Sequence, residues 1–173
     1  MAATIELGDP DASVNAIAER AGVGIASLYR YFPSKSAIHA EISRRLQRDF
    51  LSQVRAILAQ PVSLEAAIEA CCRAAVIVPH IQPAMRRALN LSVPQSWSAE
   101  TGNAAFSTAI GEMARWLAAR VPGAPPDLEA RVFVAFAAAR GIVMMSMVMP
   151  ERAPDDEALV QALVRGSLAY LRD

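Results

Sequence analysis

The chain has 173 residues, of which 54% are hydrophobic and 6% aromatic, and its 17 basic side chains balance 17 acidic ones. That length buries a real core, as one compact unit or as a small domain plus a larger one, and needs no disulfide scaffold. Zero net charge excludes a uniformly basic binder of polyanions, so any such surface has to be local.

The opening MAATIELGDPDASV reads as the end of a helix: Ala2, Ala3, Ile5 and Leu7 form its last two turns, and Gly8-Asp9-Pro10-Asp11 its exit. Ser13 is an N-cap candidate. Val14, Ile17, Ala18 and Ala21 fall at i, i+3, i+4 and i+7, one face of a short helix. Gly22 stops it, as a residue free to take positive φ does. A second short helix follows, with Val23 and Leu28 directed into the same core, and Pro33 ends it. Two short helices across a tight glycine turn are the helix-turn-helix plan, whose second helix enters the DNA major groove.

Charge is distributed accordingly. Residues 1–19 carry Glu6, Asp9, Asp11 and Glu19 with no Lys or Arg. Residues 20–48 carry Arg20, Arg30, Lys35, Arg44, Arg45 and Arg48 against Glu41 alone, a surplus of five positive charges. A basic face of this kind suits phosphate; the plainer reading is a solvated charged surface. Lys35 is the only lysine in the chain.

AERAGV, then LYRYF, then PSK resembles the DNA-binding signature of the TetR family of bacterial repressors, densely from about Ser13 to Ile38. The resemblance implies that Ile25, Ala26 and Tyr29 face base edges, and that Ser27, Tyr31 and Lys35 contact phosphates. Asn15 matches another position that reaches a base, and Gly24 occupies the cap of the recognition helix. Ser13 joins this DNA-binding set, and Arg30 suits a phosphate or a guanine edge. Ile25 and Ala26 cannot donate hydrogen bonds, so they read thymine methyls or groove shape. Phe32 reads as core. Against the family's usual pattern about ten residues of the first helix are expected to be missing, either because the start lies upstream of the one given or because the protein is truncated; truncation gives a second reading, a ligand-binding or structural dimer whose head no longer binds DNA.

Ile38, Ile42, Leu46, Phe50 and Val54 step by four, which predicts a long amphipathic helix over 36–59. Further helices are predicted from Ser63 to Val78, from Pro83 to Leu91, from Ala104 to Arg120, from the cap Asp127 to Met149, and from the cap Asp155 to Leu171. The Ser- and Gly-bearing stretch 95–103 reads as a loop. No period-two pattern marks a strand. The longest apolar run, Val132 to Met149, is interrupted by Arg140 and reads as too short to span a bilayer. Leu128 to Met149 is apolar nearly all round, which predicts burial on several sides. Leu159, Val160, Leu163, Val164, Gly166, Leu168 and Leu171 form a stripe expected at a dimer interface, where the resembling family also dimerises.

A candidate effector pocket takes Met113, Trp116, Phe133, Phe136, Met144 and Met147 as apolar lining and His80, Trp97, Arg86, Arg87 and Arg140 as polar or amphipathic lining. Each apolar residue also reads as ordinary core, and a buried Arg140 needs an acceptor from the protein or from a ligand anion. No catalytic, nucleotide-binding or metal motif is present. Cys71 and Cys72 are adjacent, about 100° apart on a helix, and share a face poorly as ligands; unpaired thiols fit a reducing compartment. The expectation is therefore an all-α, TetR-like homodimer. Residues 1–44 form a helix-turn-helix head, and residues 45–173 form an effector-binding and dimerising body. The resemblance implies a cytoplasmic, nucleoid-associated repressor on a pseudo-palindromic double-stranded operator, released by a small apolar effector, with no cofactor, no metal and no catalytic residues expected.

Overall fold

The computed structural model describes residues 4, 6, 8–78, 81–91, 95–120 and 125–172, with backbone alone for 91 and 95–103. Every regular element among these is helical: α1 (Val14–Ala21), α2 (Ile25–Tyr31), α3 (Lys35–Leu58), α4 (Leu64–Val76), α5 (Pro83–Leu91), α6 (Gln95–Ala118), α7 (Leu128–Val148) and α8 (Asp156–Arg172). Thr4 and Glu6 are also helical, and Ala2, Ala3, Ile5 and Leu7 lie outside the described residues.

Most boundaries follow the expected chemistry. The Ser13 hydroxyl accepts from the Ala16 amide at 3.1 Å, and Ser63 does the same for Ala66 at 3.2 Å. Asp155 caps α8 by accepting from Ala158 N at 2.8 Å. Asp127 occupies the cap position of α7 but makes no capping bond; its Oδ1 accepts from Arg131 Nε at 3.1 Å instead. The stretch 95–103 is a further correction, since it forms the first third of α6. No proline interrupts it, and a helix already propagating absorbs the modest costs of Ser, Thr, Asn and one Gly.

The chain packs as two units. Met1–Leu46 with Pro79–Asn103 form one, and Gln47–Val78 with Ala104–Asp173 form the other. The division near residue 44 was expected, but the return of 79–103 to the first unit was not. In that unit Ile17, Ile38, Ile42, Met85 and Leu89 make the buried core, with Ala12, Leu28, Phe32, Leu46 and Ile81 packed around them. Ser43 Oγ donates to the Leu89 carbonyl at 3.2 Å. Val23, expected in this core, is exposed, because its amide bonds back to the Ala18 carbonyl while the Gly22 turn carries its side chain outward.

In the second unit α4 supplies two apolar clusters. Ala67 packs with Ile110, Ala114, Trp116, Leu117, Leu128 and Val132. Ile68, Cys72 and Val76 pack with Val143, Leu159, Val160 and Leu163. Ion pairs fix the direction of α8: Glu65 near the start of α4 meets Arg172 at the end of α8, and Arg73 near the end of α4 meets Glu157 at 2.6 Å. The two helices are therefore antiparallel. Arg55 of α3 grips Glu112 of α6 at 2.8 Å.

Leu159, Val160 and Leu163 are 4% or less exposed and belong to the subunit's own core, not to an interface. Val164, Leu168 and Leu171 pack against the same core, and Gly166 is exposed. The unburied apolar surface lies on α7 instead. Only Leu128, Val132 and Val143 of that helix are buried, while Phe133, Val134, Ile142, Met145 and Val148 are exposed. By length and composition α7 is also apolar enough to cross a membrane, with a mean hydropathy of 1.6, so Arg140 does not break the run as expected. Its packing on α4 and α8 makes it a body helix with one bare side.

Candidate nucleic-acid interface

The head presents α2 outward on a short, rigid mount. Gly22 adopts φ 67°, and its amide bonds to the Ala18 and Glu19 carbonyls. A residue with a Cβ rarely adopts that backbone. The turn aims α2 away from α1, and Leu28 alone of α2 is drawn into the core, with Phe32 behind it. Everything else on α2 is exposed: Ile25, Ala26, Ser27, Tyr29, Arg30 and Tyr31. Tyr31 is 70% exposed, and the Arg30 guanidinium lies 5.2 Å from its ring centroid. Large side chains left bare on a helix held by one anchor contribute little to folding and are available to a partner.

The other expected contacts surround this face. Asn15 is exposed at the start of α1. The Ser13 hydroxyl oxygen is engaged as a cap, which leaves its hydrogen to donate. Gly24 caps α2 without a side-chain bond. Lys35 is half-buried at the first residue of α3, where its Nζ donates to the Pro10 carbonyl at 3.1 Å and to the Ala12 carbonyl at 3.5 Å. An ammonium has three donors, so one is not used by these two bonds.

The basic surplus of residues 20–48 is smaller in space than in sequence. Arg20 pairs with Glu6 at 3.0 Å. Arg44 and Arg45 share Glu41, the latter at 3.0 Å. Such exposed pairs are worth little, and a DNA phosphate can displace them. His39, one turn after Lys35, is 5% exposed, and burial, reinforced by the Lys35 charge, holds its pKa below the ordinary value.

The expected effector residues are dispersed in the body. Met113 and Trp116 line a small apolar void with Leu58, Leu64, Ala67, Ile68, Cys71 and Leu117, no roomier than a water molecule needs. Phe136 packs against Phe50 and Phe106. Met144 is half-buried, and Met147 packs against the second cluster. Phe133 is 57% exposed and is not among the residues lining that void. Arg140 is not buried; it is exposed, with its guanidinium 4.5 Å from the Phe106 centroid. Arg86 is half-buried and Arg87 exposed. His80 and the Trp97 side chain lie outside the described residues. Burial pushes the Cys71 thiol up to about 12 and Cys72 up to about 11, which suits inert packing groups.

Sequence reasoning missed Met85 and Leu89 as head residues. They fall at i and i+4, a visible helical signal, but nothing local says which core they join.

Comparison with known proteins agrees with this geometry. The pattern described as "Bacterial regulatory proteins, tetR family" matches residues 5–42, and "Tetracyclin repressor-like, C-terminal domain" matches residues 63–171. The chain belongs to the TetR family. As a TetR-family chain it is a DNA-binding transcriptional regulator with a ligand-binding C-terminal domain, a class of regulators and not of enzymes. No curated protein sequence matches it. Solved structures share the fold at low identity. The fatty acid degradation regulator FadR from Bacillus halodurans is 17% identical at a TM-score of 0.71, over 99% of this chain and 93% of that one. A transcriptional regulator from Rhodococcus is 22% identical at 0.70, with the same coverage. FadR from Bacillus subtilis in complex with stearoyl-CoA is 14% identical at 0.69, over 95% and 94%.

Proposed function

We propose that the chain is a repressor that binds a pseudo-palindromic operator as a homodimer and leaves it when a small, largely apolar molecule enters the body. The observation that carries this reading is α2, with Leu28 in the core and Ile25, Tyr29, Arg30 and Tyr31 bare. Ile25, Ala26 and Tyr29 then face base edges, with Asn15 beside them. Ser27, Tyr31, Lys35 and Ser13 hold phosphates. Cytoplasmic placement on the nucleoid follows from the partner.

The bare side of α7 supports the dimer. Phe133, Val134, Ile142 and Met145 recur at helical spacing, and the exposed Ala137, Ala138 and Gly141 among them allow a second backbone to approach. An apolar stripe that size invites an isologous partner. Two heads on a two-fold axis address half-sites about 34 Å apart.

For the effector, space has to open among the apolar side chains of the body, since the void beside Trp116 admits nothing larger than water. The neighbouring FadR fold holds stearoyl-CoA, which supports an apolar chain as the kind of guest. Release follows only if the guest favours one dimer geometry over the other. Footprinting of the DNA upstream of the chain's own gene tests the reading. It predicts two protected half-sites related by a dyad. One unpaired half-site, or protection spread evenly along the fragment, contradicts it.

A further inference from the structure

Arg140 lies where the packed side of α7 meets its bare side. Its guanidinium carbon is 4.5 Å from the Phe106 ring centroid. Phe106 is 5.4 Å from Phe136, and Phe136 is 6.2 Å from Phe50, with both ring pairs tilted. Three rings from three helices, α3, α6 and α7, thus end in one cation.

Among the described residues that cation has no acid of its own. Arg55 pairs with Glu112, Arg73 with Glu69 and Glu157, Arg131 with Asp127, and Arg172 with Glu65. Among the described residues no carboxylate lies within ion-pair distance of Arg140. Partial desolvation holds its pKa below the usual guanidinium value. A ring offers no acceptor oxygen, so N–H donors of the guanidinium remain for a planar anion.

The surroundings suit the rest of an amphiphile. Phe133 and Phe136 stand seven and four residues before Arg140, and Met144 and Met147 four and seven after it, so all five share one stripe of α7. The methionines adapt to varied shapes. On α3, one turn before Phe50, the buried Gln47 Oε1 has no hydrogen-bond partner among the described residues; a ligand hydroxyl or a bridging water would satisfy it.

We propose that Arg140 and the Phe50–Phe106–Phe136 cluster bind the charged end of an anionic amphiphile, with a carboxylate or phosphate on the guanidinium and the apolar chain along the rings. The proposal rests on the effector reading above and names the chemical class of that effector. A neutral guest leaves Arg140 without a counter-ion, a cationic one is repelled, and a small inorganic anion makes no use of the rings.

The test is calorimetry of the full chain with four probes of one chain length: decanoate, decyl phosphate, decanol and decylammonium. The unaltered chain is compared with Arg140→Leu and Arg140→Lys, and melting temperature is the control for folding. At least one anionic probe binds about tenfold tighter than decanol. Arg140→Leu brings that probe to the decanol level and leaves decanol unchanged, while Arg140→Lys keeps part of the preference. The stronger of decanoate and decyl phosphate identifies the head group. Equal binding of decanoate, decyl phosphate and decanol overturns the anion site. An unaltered preference in Arg140→Leu, or dissociation of that variant into monomers, does so too. Operator release by decanol in such a case would leave the effector reading standing, so the two failures are distinguishable.

Discussion

Lys35 Nζ donates a hydrogen bond to the Pro10 carbonyl oxygen at 3.1 Å, across 25 residues of chain. The bond ties the first turn of α3 to the segment leading into α1, and so fixes how α2 is carried between them. Lys35 therefore has a use inside the head, beside the proposed contact with a phosphate.

Replacing Lys35 with Met removes both. The internal loss is about 1.5–3 kcal/mol, the range for hydrogen bonds to a charged group. Thermal unfolding of the variant reads it as a lowered melting temperature. A variant as stable as the unaltered chain would remove the internal role and leave a phosphate contact alone.

Leu163 and Met145 separate the core from the proposed interface. Leu163 is 3% exposed and sits among Ile68, Val143 and Leu159. Its replacement by Ala costs about 2–5 kcal/mol through transfer and cavity terms, and lowers the melting temperature at every protein concentration. Met145 is 49% exposed, so Met145→Glu leaves the subunit folded and disrupts the apolar contact of α7 with its partner. Sedimentation checks this: Met145→Glu runs as a folded monomer. If it sediments as a dimer, the bare side of α7 is not the interface.

His39 makes the head sensitive to acid. Burial, reinforced by Lys35, favours its neutral form in the fold, while in the unfolded chain it titrates near about 6.5. Below that value the unfolded state binds more protons, so stability is complete above about pH 6.5 and declines as pH falls through the window beneath it. Urea midpoints at about pH 7.5 and about pH 5.5, with His39→Leu alongside, read this out. The variant shows a smaller difference between the two conditions, and an equal difference would assign the acid sensitivity to other groups.

How much was legible depended on the range of the interaction that decides each feature. Ser13 and Gly22 act within four residues, and both behave as their chemistry predicts. The exposure of Tyr29 and the anchoring of Leu28 follow from period and motif together. The stretch 95–103 misled because Ser, Gly and Asn are weak signals against a helix that continues through them. Leu159 and Leu163 showed a correct apolar stripe, but a stripe does not say whether it meets its own subunit or another. Met85 and Leu89 join the head through contacts more than forty residues away in sequence. Arg140 looked buried because its neighbours in sequence are apolar, yet its position on α7 puts it at the margin of the packed side.

The most direct measurement of the central claim is a fluorescence titration of upstream operator DNA at about 50 mM and about 200 mM salt. The unaltered chain is compared with Tyr29→Ala, whose side chain is 49% exposed and supports no core. Operator binding that weakens steeply with salt, and that falls about tenfold in the variant toward the level of random DNA, is the predicted result. Equal binding of the unaltered chain to operator and random DNA, or a Tyr29→Ala variant that binds as tightly as the unaltered chain, would contradict the assignment of α2 as the reading helix.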